Sequence, residues 1–249
     1  MMPANPLRPA FSCLLMASVA LLSWPATGQT ERGDCTEDAM LVFDASGSMA
    51  SMGYNGLDMP RIVEARDALH RALPDITPYR RLGLIIYGPG PNDGCANIDL
   101  RLRPTADAAG RIIAEVDRVM PDGDTPLTAA VSAAAETLLS EERPGVIVLV
   151  TDGRETCGGA TCELAANLAQ DKNITVHVVG FKVRAEFFQW QAQGAFGDET
   201  VPAVARCLSD RTGGLYVSAE TIDELVQALQ QTLGCPAISE ARGNRNSKL

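Results

Sequence analysis

The chain has 249 residues, 46% of them hydrophobic, enough for one sizeable α/β core without a second domain. Its formal net charge of -10 excludes a general electrostatic affinity for nucleic acid or anionic lipid. Only two histidines occur, His70 on a helical pattern and His177 in an apolar strand, and both read as structural.

Arg8 precedes an apolar stretch, Phe11 to Leu22, and Ala26-Thr27-Gly28 then offers small residues for cleavage. Residues 1–28 therefore read as a secretory signal peptide. An N-terminal anchor is the plain alternative, although the run is short for a membrane span. No later apolar segment is long enough to span, so the mature chain is expected to carry no membrane span. Cys13 falls inside the apolar region. The other cysteines are Cys35, Cys95, Cys157, Cys162, Cys207 and Cys235. An even number in an exported chain predicts disulfides and a periplasmic or extracellular location. Cys157 and Cys162 also read as half of a zinc site, but no histidine stands near them.

Apolar runs then alternate with helical patterns. Met40–Phe43 reads as a buried strand. Residues 60–73 read as a helix opened by Pro60, with Ile62, Val63, Arg66, Leu69 and Leu73 near helical spacing. Leu82–Tyr87 is a second buried strand. Ile98, Leu100 and Leu102 alternate with polar residues, which predicts a half-exposed antiparallel edge strand. Residues 105–119 and 127–140 read as helices, the second with an alanine-rich close-packing face. Val146–Val150 and Ile174–Val179 are continuous β-branched runs, as in a parallel sheet buried on both faces. Residues 185–202 read as an enlarged connection containing Phe187, Phe188 and Trp190. Gly214–Ser218 is a short last strand, Thr221–Leu233 an amphipathic last helix, and 236–249 a disordered polar tail. This alternation predicts an α/β fold: a doubly wound, mostly parallel sheet with one antiparallel edge strand and helices on both faces.

In open α/β sheets, ligands bind beyond the carboxyl ends of the strands. The first strand ends in "LVFDASGSMA", which sets Asp44, Ser46 and Ser48 at two-residue steps. Asp152 ends another strand in "VIVLVTDGRET", and Thr125 precedes a helix in "PDGDTPL". Taken singly, each has a structural reading: Thr125 as an N-cap before Pro126, Ser48 as a turn cap, Asp152-Gly153 as a turn. Together they offer two carboxylates and three hydroxyls, hard oxygen donors that suit Mg²⁺, with Mn²⁺ or Ca²⁺ as other occupants. Neutral hydroxyls leave such an ion with positive charge unspent, so that it favours a further carboxylate.

Asp44-Ala45-Ser46-Gly47-Ser48, the threonine of "GDTPL" and the aspartate of "TDG" resemble the von Willebrand factor type A (VWA) domain family. The resemblance covers residues 35–235, and "DASGSM", "TDGRETC" and "VHVVGF" are similar to secreted bacterial members. It implies a Rossmann-like VWA fold and a complete metal-ion-dependent adhesion site of Asp44, Ser46, Ser48, Thr125 and Asp152. In the family the serines bind the metal directly, the other ligands directly or through water, and an acidic residue of a protein partner completes the octahedron. The resemblance thus implies an exported binding module that captures a partner's Asp or Glu, with rim loops at 49–59, 88–97, 120–124 and 153–161.

Two competitors stand beside it. A magnesium-dependent hydrolase would use a strand-end aspartate as nucleophile, but Ser46 stands where a second aspartate is wanted. No Gly-x-Ser-x-Gly elbow and no phosphate-cradling loop occurs, so no enzyme activity is expected. The other competitor is an envelope accessory protein in which the metal only stabilises. In the VWA sheet order the start of the first strand and the end of the last helix lie opposite the metal, which makes Cys35–Cys235 a reasonable bond. It would tether a helix that can slide in related domains. Among the other four cysteines, Cys157–Cys162 with Cys95–Cys207, and Cys95–Cys157 with Cys162–Cys207, both stay open.

Overall fold

Runs that are apolar on both faces form the middle of the sheet, and runs that are not form its edges. The computed structural model describes residues 35, 37–52, 59–91, 94–140, 144–170, 173–183 and 201–235. All belong to one compact unit, Arg32–Leu249. Strands β1 (Asp38–Asp44), β2 (Leu82–Tyr87) and β4 (Gly145–Thr151) are buried along their whole length. Strands β3 (Ile98–Thr105), β5 (Ile174–Phe181) and β6 (Tyr216–Ala219) complete a sheet of order β3-β2-β1-β4-β5-β6. Every pairing is parallel except β2 with β3, the antiparallel edge. The expected fold class is the one observed.

Alternation along the strands splits the core into two layers. Leu41, Phe43, Leu84 and Val148 face helices α1 (Arg61–Ile76), α2 (Ala109–Arg118) and α6 (Ile222–Leu233). Met40, Val42, Ile85, Ile147 and Leu149 face α3 (Leu127–Leu139), α4 (Thr161–Gln170) and α5 (Val201–Thr212). Each fully buried large side chain, such as Phe43 or Leu84, contributes about 1.5–3 kcal/mol by leaving water. Ala130, Ala134 and Ala135 let α3 pack closely on the sheet, as their small size suggests.

The element boundaries depart from the sequence reading in several places. Helix α1 runs on through Pro74 to Ile76, because Ile76 is buried and rewards one more turn despite the lost N–H. The stretch from 105 is not helical: β3 continues to Thr105, which pairs with Leu82, and Asp107 turns the chain at φ 51° before α2. The edge strand does not keep one apolar face. Leu84 opposes Leu102 but Ile85 opposes Leu100, and this irregularity sends Leu102 to one core layer and Ile98 to the other. Helix α4 was not anticipated. Residues 1–28, the tail 236–249, and the connection with its aromatics lie outside the described residues, apart from Val201 and Pro202, which open α5.

Three disulfides staple the unit: Cys35–Cys235, Cys95–Cys157 and Cys162–Cys207. The compact local pair Cys157–Cys162 does not form. Cys162 sits in the first turn of α4, which packs on α5 and so meets Cys207, while Cys157 lies in the loop before α4 and meets Cys95 beyond β2. The zinc reading of Cys157 and Cys162 falls with it. Cys35–Cys235 joins residues 200 apart, so loop-entropy arguments give it about 3–5 kcal/mol of stability. The pair Cys35→Ser and Cys235→Ser should lower the unfolding free energy by about that amount in denaturant titration. A loss under about 1 kcal/mol would show that the ends are held by packing alone.

Candidate metal centre

The parallel register of β1 and β4 sets Phe43 beside Val150, so both strands end at the same level. Asp44 closes β1, is fully buried, and accepts hydrogen bonds from both sides. Its Oδ1 takes the Ser46 N–H at 2.8 Å, and its Oδ2 takes the Thr151 hydroxyl from the end of β4 at 2.6 Å. Beyond Ser46 a single 3₁₀ turn, Gly47–Ala50, brings the two serine hydroxyls to 3.1 Å. Ser48 Oγ donates to Asp152 Oδ1 at 2.6 Å. Its one proton is thereby committed, and the Ser46 hydroxyl stands between Ser48 and the Asp44 carboxylate.

Thr125 is buried just before α3. The α3 N-cap position is Pro126 and carries no side-chain capping bond, so the Thr125 hydroxyl is not spent on the helix. The backbone of Thr125 is clasped by Thr156: its N–H donates to Thr156 Oγ1 at 2.8 Å, and the Thr156 N–H donates back to its carbonyl at 3.2 Å. Ser46, Ser48 and Thr125 line one pocket of about 270 Å³, together with Gly123, Asp124, Gly153, Arg154 and Thr156. Asp44 and Asp152 do not reach its surface; they are tied to it through Ser46 and Ser48. The close approach of the loops needs glycine. Gly88 has φ 109°, and a Cβ there would lie 2.6 Å from the Ser46 nitrogen. Gly123, at φ 76°, would likewise strike the Gly88 carbonyl.

The electrostatics are strained. Burial, then repulsion from Asp152, pushes the Asp44 carboxyl up to about 6. Tyr87, opposite Asp44 on β2, has its phenol pushed well above 10 by burial and then by Asp44. Asp152 Oδ2 accepts Arg61 Nη1 at 2.5 Å in a buried pair. A second buried pair joins Glu64, also on α1, to Lys182 just past β5. Two buried carboxylates and three hydroxyls, with no nitrogen or thiolate donor, fit a hard divalent cation. The nearby trio Cys95, Asp124 and Cys157 offers no such site, because its sulfurs share a disulfide.

A model of the von Willebrand factor type A domain matches residues 38–231. The chain belongs to that family. The VWA domain is 25% identical over 230 residues to the uncharacterised YwmD of Bacillus subtilis, covering 88% of this chain and 92% of that one. It is 28% identical to a UPF0353 protein of Mycobacterium tuberculosis, covering 80% of this chain but only 61% of the relative's length. A 40% identity to YwmC of Bacillus subtilis spans 26% of this chain and 30% of that one. Among solved structures, the SpRpn10 VWA domain superposes with TM-score 0.58 at 15% identity, covering 80% of this chain and 97% of that one. Proximal thread matrix protein 1 from the mussel byssus, with a zinc-occupied MIDAS motif, gives 0.52 at 16%, covering 81% and 46%. These likenesses establish the fold.

The structure therefore brings Ser46, Ser48 and Thr125 to one pocket and places Asp44 and Asp152 directly behind the serines. Sequence reasoning missed Thr151, Arg61, Asp124, Arg154 and Thr156. Thr151 was within reach of it, since it ends the strand beside β1. The titration of Asp44 yields a test. An unfolded aspartyl group titrates near 3.8. Below that value both states hold the proton; as pH rises to about 6 the unfolded state ionises first and stability falls. Above about 6 the cost is complete, about 3 kcal/mol. In chelator, Asp44→Asn should melt above wild type at pH 7.5, and the gap should close by pH 3.5. Equal melting temperatures at both pH values would refute the buried, ionised Asp44.

Proposed function

We propose that this VWA domain is an exported binding module in which Asp44, Ser46, Ser48, Thr125 and Asp152 hold Mg²⁺, with Mn²⁺ or Ca²⁺ as other occupants. The observation that carries this reading is the juxtaposition of two buried carboxylates with three hydroxyls at the carboxyl edge of the sheet. A dication would offset both the burial and the repulsion from Asp152 that raise the Asp44 carboxyl. When bound, it supplies an electrophilic centre for an Asp or Glu of a protein partner. Arg154 lines the pocket with no ion-pair partner among the described residues and favours the same sign of ligand. Nucleic acid is not the expected ligand of a chain of charge -10. Three disulfides indicate an oxidising, extracytoplasmic compartment, and with the signal-like residues 1–28 they support a periplasmic or extracellular location. No helix among the described residues is long and apolar enough to cross a membrane.

We read the module as non-enzymatic. His177 accepts the Leu215 N–H in the sheet, and burial pulls its pKa down to about 4; His70 pairs with Asp117 on the surface. Neither adjoins Ser46 or Ser48 as a base. Excess Mg²⁺ or Mn²⁺ should raise the melting temperature by mass action, and Asp44→Ala should abolish the rise. An unchanged wild-type curve between Mg²⁺ and chelator, with no bound Mn²⁺ by spin resonance, would sink the metal reading. Partners captured from the native envelope should release in chelator. Removing their contact carboxylate should weaken binding by about 2–5 kcal/mol, the usual loss for one member of a buried charged pair. A partner held equally by Ser46→Ala/Ser48→Ala protein would instead favour a metal that only stabilises.

A further inference from the structure

Arg61 opens α1 directly behind the pocket, and its guanidinium lies against the Asp152 carboxylate at 2.5 Å. The Asp152 side chain is fully shielded from solvent and that of Arg61 is 9% exposed. Such a pair is a poor way to stabilise a fold, because desolvating both charges offsets their attraction. Here the cost is higher still, since the Arg61 Nε is buried without a partner among the described residues. The pair therefore calls for a role other than stability.

Charge counting supplies one. The two aspartates alone would neutralise a dication. Arg61 cancels one of them, so the loaded site keeps one net positive charge. The buried pair Glu64 and Lys182 does not alter this, because the two cancel each other, and Glu220, another acid that senses Arg61, is exposed and screened by water. Asp152 is also fully engaged, with Oδ1 on Ser48 and Oδ2 on Arg61. It acts on the pocket through the Ser48 hydroxyl.

We propose that Arg61 is the residue that makes the metal site select an anionic ligand: by neutralising Asp152 it weakens the hold on the metal and strengthens the metal's hold on a carboxylate. This rests on the metal reading above. It predicts opposite effects on two affinities, which a merely structural arginine would not give. Removing a unit charge within several ångströms, at the effective dielectric of a protein, changes each by at least about tenfold.

The experiment uses the mature full chain and two probes: Mn²⁺ alone, followed by spin resonance, and acetate added to the Mn²⁺-loaded protein, followed by water-proton relaxation. Arg61→Gln should bind Mn²⁺ at least about tenfold tighter and need at least about tenfold more acetate to displace metal-bound water. Arg61→Lys should restore both toward wild type. Should Arg61→Gln fail to fold with Asp152 left unpaired, Arg61→Lys carries the test, because it keeps the charge and changes the shape of the group that bears it. It should match wild type within about threefold on both probes. Wild-type protein that takes up no Mn²⁺ overturns the metal reading and this inference with it. If wild type binds Mn²⁺ while Arg61→Gln shifts both affinities in one direction, or neither, the role of Arg61 alone is overturned. An Arg61→Lys protein about tenfold off on either probe overturns it as well.

Discussion

Two carboxylates ending adjacent parallel strands repel each other where water cannot screen them. Asp44 and Asp152 stand at the ends of β1 and β4, the two central strands, because those strands share a parallel register and are apolar along their length. The surrounding structure answers this repulsion. Thr151 and the Ser46 amide donate to Asp44, while Ser48 and Arg61 donate to Asp152. Each donor comes from an element whose position the sheet has already fixed. The tight turn at Gly47–Ala50 and the glycines at 88 and 123 exist where loops must close over these groups. Hydrogen bonds favour the ionised form of Asp44, but burial outweighs them. The site is thereby left with unbalanced negative charge, which is the condition a cation meets.

The fold was legible because the strands state their burial directly. Leu82–Tyr87 has no polar residue until its last hydroxyl, and Val146–Val150 none at all, and both lie inside the sheet. Ile98, Leu100 and Leu102 announced the half-exposed antiparallel edge, but not the side each takes, because register shifts between Leu82 and Ile85 change which face of the sheet a side chain meets. Helix α4 was hidden for another reason. "TCELAANLAQ" is short, alanine-rich and only partly buried, so its periodicity has little contrast. At the site, Asp44, Ser46 and Ser48 were readable from spacing, and Thr125 and Asp152 from their place at element ends. Arg61 and Thr156 carried no such mark. Arg61 follows a helix-opening proline, where an arginine is unremarkable until the fold sets it against Asp152, 91 residues away. Thr156 bonds across 31 residues to Thr125. Pairings of this kind are made by topology, and one sequence does not display them.

The disulfides divide along the same line. Cys35–Cys235 closes the end of the unit away from the pocket, tying the end of α6 to the chain before β1. Cys95–Cys157 lies at the pocket's own rim. Cys157 is one residue from Thr156, whose two hydrogen bonds fix the Thr125 backbone, so this bond holds the loop that positions Thr125. One bond thus restrains the final helix, and the other limits how far the rim loops move apart. Both reduce the conformational freedom that ordering a ligand set would otherwise have to remove.

A chain of net charge -10 is an odd host for an acidic ligand. The conflict resolves with distance. Repulsion between surface charges fades beyond about 8–10 Å at physiological salt, whereas charges inside a low-dielectric pocket are little screened. On the proposed reading, the outer field of this protein would discourage acidic molecules in general, and one that places its carboxylate at the pocket would meet the charge of the bound cation. The protein's share of that excess would then come from a buried group such as Arg61, which is little screened. The acidic exterior would lower the rate of unspecific encounters, and the loaded centre would set the strength of the correct one.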